Sequence, residues 1–152
     1  PKLEAMCREY AEDHQHPKNR ATHKLGVPLV LFHILAMLDW VQVYPMIGID
    51  SSANGEFVLS IGHVFGLVVF GWYLSLDWFL AIMVGMTSVC FFAITPFVPF
   101  EVVMGITVIA WFLQFLGHYV YEKRSPSFFR NLIQLLVGPL FFAAVFTGRW
   151  KD

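Results

Sequence analysis

Apolar residues occur in five long runs, and short polar stretches separate them. We predict membrane spans at about 27–49, 57–76, 78–95, 102–121 and 131–147. A run of about 20 apolar residues is long enough to cross the hydrocarbon core of a bilayer as a helix. The pattern therefore predicts an all-α integral membrane protein, a compact bundle of four to five transmembrane helices that forms one domain over residues 1–152.

The two ends of the chain differ from this regular pattern. Residues 1–25 are polar and are interrupted at Pro17, which predicts a cytoplasmic juxtamembrane helix and turn. The last run is short and contains Gly138-Pro139, so it either spans the membrane with a kink or re-enters it.

Composition and charge support a membrane location. The chain is 57% hydrophobic and 14% charged, whereas soluble domains average about 25% charged residues. With a net charge of −1, no basic surface suggests nucleic acid as a partner. Five Lys and Arg residues precede the first span and three follow the fourth, so the positive-inside rule predicts a cytoplasmic amino terminus in a bacterial inner membrane or the endoplasmic reticulum. Cys7 and Cys90 have no disulfide or metal-like spacing and are predicted to be free thiols.

The six histidines are the main candidates for chemistry. Four are predicted to share one membrane face, namely His14, His16, His23 and His118. Neutral imidazole is a common metal ligand, and three imidazoles would leave coordination positions open. The alternative is that they are interfacial side chains bound to water and headgroups. The remaining two, His33 and His63, lie deeper in the membrane. Their different depths disfavour a haem bound by both, and each is predicted to form an interhelical hydrogen bond.

A polar stripe marks the end of the fourth span. Gln114, His118 and Glu122 are spaced by four residues and share one face of an α-helix. Glu122 could accept a hydrogen bond from His118 and orient its ring towards a metal, or it could pair with Lys123 or Arg124. The other common enzyme motifs, such as G-x-S-x-G or H-E-x-x-H, are absent from the sequence.

Three stretches carry a resemblance to a known family. They are Tyr10-x3-His14-x2-Pro17-x-Asn19-x3-His23-x2-Gly26-x-Pro28, Trp111-x2-Gln114-Phe115-x-Gly117-His118-x3-Glu122-Lys123-Arg124-x-Pro126, and Asn131-Leu132-x-Gln134-x4-Pro139. Together they resemble the Mpo-like family, which is named for the metabolism of phytosphingosine to odd-numbered fatty acids. Its founding member is an iron(II)-dependent 2-hydroxy fatty acid dioxygenase.

The resemblance implies a function and a set of site residues. It implies an oxidoreductase that uses Fe(2+) and O₂ to shorten a 2-hydroxy fatty acid by one carbon at the cytoplasmic membrane face. The implied roles fall on iron ligands His14, His23 and His118, and on catalytic residues Gln114, Glu122 and Asn19. The predicted substrate-binding residues are Lys24, Lys123 and Arg124, of which one or more would attract the carboxylate. His16, His33 and His63 have no counterpart in the motifs, and Ser127 stands where the family often has Ala. The alternative is a non-enzymatic membrane protein, a small transporter or a scaffold with interfacial histidines.

Overall fold

The described part of the chain is helical apart from turns and one isolated bridge between Gln42 and Ser60. The computed structural model describes residues 2–43 and 58–150. The α-helices in these ranges are α1 Lys2–Glu12, α2 Pro17–Asp39, α3 Ile61–Leu76, α4 Trp78–Ile94, α5 Phe100–Phe115 and α6 Ile133–Phe146. A π-helix, Leu116–Glu122, continues α5, and short 3-10 helices cover Thr95–Phe97 and Ser127–Phe129. The prediction of an all-α bundle is confirmed.

Within residues 2–43 and 58–150, three helices are long and apolar enough to cross a membrane, namely Pro17–Asp39, Trp78–Phe97 and Phe100–Glu122. The apolar helices α3 and α6 are shorter. Large apolar side chains on the outside of the bundle are exposed, among them Leu67, Val89 and Val108. Such an exposed apolar surface is unfavourable in water but is well solvated by lipid, which agrees with a membrane location.

The structure differs from the sequence prediction at both ends of the first long helix, which ends at Asp39 rather than near residue 49. The first long helix begins at Pro17 rather than near residue 27, because the polar turns that precede the apolar run are part of the same helix. Pro17 occupies the first turn, where the missing N–H has no helical partner to lose. At the other end of the chain, α6 continues through Pro139, so the chain does not turn back at Gly138-Pro139. The predicted positions 44–49 and 57 lie outside the described residues.

Helix α2 is the centre of the bundle and packs against α3, α4, α5 and α6. The amphipathic helix α1 lies against α6, where Cys7 and Tyr10 are buried beside Val137, Phe141 and Phe142. Both cysteines are free, as predicted, with Cys7 buried and Cys90 exposed.

Polar residues within the apolar helices are used to join helices. Trp111 Nε1 donates a hydrogen bond to His33 Nε2 at 3.1 Å, which confirms the interhelical contact predicted for His33. At the end of α2, Asp39 accepts hydrogen bonds from the hydroxyls of Ser60, at 2.7 Å, and Thr95, at 2.9 Å. The Ser60 hydroxyl also lies 2.6 Å from His63 Nδ1. His33 and His63 therefore belong to separate clusters, in agreement with the argument against a shared haem.

Candidate metal centre

The turn between α1 and α2 carries His14 and is held from two sides. Arg130 donates to the Asp13 carboxylate at 2.6 Å. On the other side, the Glu122 carboxylate accepts from the backbone N–H groups of Gln15 and His16, both at 2.9 Å. The first N–H groups of a helix lack partners within the helix and carry a partial positive charge, so a carboxylate there is stabilising.

His118 is carried by the π-helix that extends α5. Single turns of π-helix inside α-helices are frequent at functional sites. The segment ends at Lys123, which has left-handed backbone torsion angles, and the N–H of Arg124 donates to the His118 carbonyl at 3.1 Å. Gly117 allows this segment to touch α2, because an added Cβ would lie 3.0 Å from His23 Cε1 and closer still to the Asn19 side chain. The absence of a side chain at position 117 therefore brings His118 to His23.

The three histidines assigned to the metal meet at one point. The ring centroids of His14, His23 and His118 are 4.6 to 4.8 Å apart, and one potential ligand atom from each lies within 4.8 Å of the others. His23 Nε2 and His118 Nε2 are separated by 3.1 Å. Two nitrogen atoms bound to one ion at about 2.1 Å, with an angle of about 90 to 110°, would be about 3.0 to 3.4 Å apart.

Hydrogen bonds fix the orientation of two of the three rings. His14 Nδ1 lies 2.6 Å from the Tyr10 carbonyl oxygen, and His23 Nδ1 lies 2.9 Å from the Asn19 carbonyl oxygen. A carbonyl oxygen only accepts, so Nδ1 carries the proton in both rings and Nε2 carries the lone pair. His14 Nε2 is buried without a hydrogen-bond partner among the described residues. The unpaired lone pair of His14 lies close to the other two imidazoles, and a cation bound between the three rings would give it a partner.

Burial makes these imidazoles unlike interfacial side chains. His14, His23 and His118 are each at most 2% exposed, so they are shielded from the water and headgroups of the alternative interpretation. Burial also lowers the pKa of His14 from its ordinary value, which keeps the ring neutral at pH 7. Tyr10 contributes to this shielding, because its ring stacks on His14 with centroids 4.1 Å apart.

A cavity of about 530 Å³ opens from the three histidines into the bundle. Its walls are mainly apolar side chains of α2, α3, α4 and α6, and it extends to Leu35 on α2 and Phe92 on α4. From His23 to Leu35 the helix rises about 18 Å. The volume lies within the range of about 300 to 1,000 Å³ that is usual for small-molecule sites.

The predicted catalytic residues occupy different places around this cavity. Gln114 is buried and lines it. Asn19 does not line the cavity, although its carbonyl fixes the His23 ring and its side chain donates to Glu122 at 3.0 Å. The hydrogen bond predicted from His118 to Glu122 is wrong, because Glu122 accepts from residues of the α1–α2 turn and of α2, while His118 Nδ1 is buried without a partner among the described residues.

The predicted substrate-binding cations lie elsewhere. Lys24, Lys123 and Arg124 are exposed, and no Lys or Arg of ranges 2–43 and 58–150 lines the cavity. None of the three therefore touches the cavity directly, and their role in attracting a substrate carboxylate stays a prediction. Lys24 is on α2, and Lys123 and Arg124 follow the π-helix. Their positions outside the cavity follow from the cost of placing a cation among apolar walls.

Sequence reasoning assigned no role to two residues that line the same cavity as the three histidines. Tyr10 and Gln134 are both in the matched motifs, and both are almost completely buried. The motif spacing was the only available signal, since neither residue type indicates a particular chemistry alone.

The fold and the site define a class of protein: a small helical membrane protein with a buried three-histidine centre above an apolar cavity. The chain belongs to the family described as 2-hydroxy-palmitic acid dioxygenase Mpo1-like, whose model matches residues 1–150. A curated relative from Saccharomyces cerevisiae, named 2-hydroxy-palmitic acid dioxygenase MPO1, is 31% identical over 124 residues, which are 82% of this chain and 67% of the relative. No solved structure matches the chain.

Proposed function

We propose that this protein is an iron(II)-dependent dioxygenase that converts a long-chain 2-hydroxy fatty acid into the acid one carbon shorter. The single observation that carries the proposal is the buried convergence of His14, His23 and His118 at one end of an apolar cavity. Family membership supplies the reaction class, and the relative's name supplies 2-hydroxy-palmitic acid as the reference substrate.

The donor set suits the proposed metal. Three neutral imidazoles bind first-row divalent ions and leave other coordination positions for substrate and oxygen. When bound, iron(II) would supply a positive charge for the substrate carboxylate and the ability to activate O₂. The protein's part is to hold three Nε2 lone pairs at one point, with His14 and His23 locked by backbone carbonyls.

The cavity suits the substrate. The acid and hydroxyl groups would lie at the histidine end, and the acyl chain would follow α2 towards Leu35 between apolar walls. This arrangement would place C1 and C2 near the three histidines, because those carbons carry the polar groups. The apolar walls would exclude water from the reacting carbons, which would favour cleavage over side reactions.

The reaction balances without a further reductant. Breaking the C1–C2 bond and adding both atoms of O₂ gives the shortened acid, carbon dioxide and water. The four electrons that reduce O₂ come from C1 and C2 of the substrate. The site therefore requires a metal and two substrates, with no second redox cofactor.

The localisation that we propose is a membrane with the histidine end of the bundle on the cytoplasmic side. The support is the clustering of Lys and Arg residues before the first span and after the fourth. Labelling of a cysteine introduced at Lys18 only from the outside of intact cells would contradict this orientation.

The function is tested with purified protein in detergent. We expect about one iron per chain, and conversion of 2-hydroxypalmitate with matching consumption of O₂. The variant His118→Ala should lose most of its iron and its turnover together, because a three-ligand site cannot spare one ligand. His16→Ala is the matched control and should retain both, since the His16 side chain caps α2 through Nδ1, stacks on Tyr121 and is not part of the three-histidine group. Full iron retention in His118→Ala, or a failure of iron-loaded protein to convert the substrate, would refute the proposal.

A further inference from the structure

Gln134 is a buried polar side chain that the proposed chemistry leaves without a role. It is only 2% exposed and lines the cavity. Its Oε1 atom is buried and has no hydrogen-bond partner among the described residues. An unpaired buried acceptor costs free energy, and most such atoms in native proteins have a partner. A ligand in the cavity is the natural source of one.

The position of Gln134 on α6 places it at the histidine end of the cavity. Gly138 lies one turn further along the same face of the helix. An added Cβ at Gly138 would lie 3.3 Å from the Tyr10 hydroxyl oxygen, and the Tyr10 ring stacks on His14. The face of α6 that carries Gln134 is therefore the face turned towards Tyr10 and His14.

The chemistry of the ligand decides which group Gln134 would bind. An ionised 2-hydroxy acid has a carboxylate, which only accepts hydrogen bonds, and a hydroxyl, which is its single donor. The amide oxygen of Gln134 only accepts, so it matches the hydroxyl, whereas the amide Nε2 donates and matches a carboxylate oxygen. An unsubstituted fatty acid would leave the amide oxygen unpaired in an apolar cavity.

We infer that Gln134 Oε1 accepts a hydrogen bond from the 2-hydroxyl group and thereby selects 2-hydroxy acids over unsubstituted fatty acids. The inference rests on the proposed function, because it assumes that a 2-hydroxy fatty acid occupies the cavity. It makes Gln134 a specificity-determining residue. Metal binding does not depend on it.

The test compares ligands that differ only in the donor. Purified iron-loaded protein in detergent, kept without oxygen, is titrated with 2-hydroxypalmitate and with 2-fluoropalmitate, which has a group of similar size but no hydrogen to donate. Binding is followed by displacement of a fluorescent fatty acid. The variant Gln134→Met removes the acceptor and keeps the length of the side chain. Gln42→Met is the matched control, because Gln42 is exposed and does not line the cavity.

The wild-type protein should prefer 2-hydroxypalmitate by about 10-fold or more, as expected for one buried hydrogen bond and the penalty of leaving its acceptor unpaired. In Gln134→Met this ratio should fall by about 5-fold or more relative to wild type, through weaker binding of 2-hydroxypalmitate and equal or tighter binding of 2-fluoropalmitate. Any contact of the 2-hydroxyl with iron is common to both proteins and cancels in this comparison. Gln42→Met should keep the wild-type ratio. A general loss of structure would weaken both ligands together, so the ratio separates recognition from folding, and Gln134→Leu provides a second variant if Gln134→Met does not fold.

Two results would overturn the inference, and they are distinguishable. If Gln134→Met or Gln134→Leu keeps the wild-type preference, Gln134 does not bind the hydroxyl, while the proposed function is unaffected. If the wild-type protein shows no preference between the two ligands, both the inference and the proposed substrate class fail.

Discussion

The Glu122 carboxylate joins the segment that carries His118 to the turn that carries His14. Replacing it by glutamine keeps the shape and one acceptor, but changes the other oxygen into an N–H donor. In the structure, Oε1 accepts from Gln15 and Oε2 accepts from both His16 and Asn19. In either amide orientation, at least one backbone N–H of the turn faces another donor.

The size of the effect follows from these contacts. A donor that loses its acceptor costs about 1 to 3 kcal/mol, and partial access of water to the half-buried Glu122 favours the lower part of this range. We expect Glu122→Gln to weaken the attachment of the turn by about 1 to 2 kcal/mol, which is about 5- to 30-fold in an equilibrium constant. Because His14 must be in place to bind metal, the apparent iron(II) affinity should fall by up to the same factor.

The assay is an anaerobic titration of metal-free protein with iron(II), in competition with a chelator, together with thermal unfolding in detergent. Glu9→Gln is the matched control, because Glu9 is exposed on α1 and the substitution removes the same charge. If Glu122→Gln binds iron(II) as tightly as wild type and Glu9→Gln, the carboxylate does not hold the site together. A double variant of Glu122→Ala and Asn19→Ala should cost less than the sum of the two single variants, since both remove the same hydrogen bond.

Two further predictions concern glycines. Gly117→Ala should push the His118 segment away from His23 and reduce iron content by about 10-fold, in line with overpacking costs of about 1 to 3 kcal/mol. The control is Gly105→Ala on α5, where an added Cβ meets no atom within 4 Å, and this variant should retain its iron. Gly66→Leu should fill the part of the cavity far from the histidines and shift turnover towards shorter 2-hydroxy acids, measured by competition between chain lengths. Gly71→Leu, which has open space around it and does not line the cavity, should leave the chain-length preference unchanged.

Much of the fold was predictable because lipid imposes a simple rule on sequence. Helices that cross a bilayer must be apolar over about 20 residues, so the positions of the apolar runs predict the positions of the helices. The beginning of α2 was not predictable in the same way. Its polar first turns lie beyond the apolar run, and hydropathy does not distinguish a helix that continues at Pro17 from a separate turn.

The hydrogen bond predicted between His118 and Glu122 is not formed, and the reason is local. A spacing of four residues places two side chains above one another only in an α-helix. From Leu116 to Glu122 the backbone is a π-helix, with hydrogen bonds between residues five apart, so the same spacing points the side chains in different directions. The actual partners of Glu122 are mainly backbone N–H groups more than a hundred positions away, which leave no mark in side-chain identities.

The positions of the predicted substrate-binding cations bear on how the proposed site would work. Lys24, Lys123 and Arg124 were assigned to the substrate because an anionic ligand requires a positive charge, yet none of them lines the cavity. In the proposed function, the ion held by the three histidines supplies that charge. Substrate and metal would then bind cooperatively, and by linkage each would raise the affinity of the other by the same factor. An apolar cavity with neutral polar side chains at one end is sufficient for this, because the protein orients the acid while the charge comes with the metal.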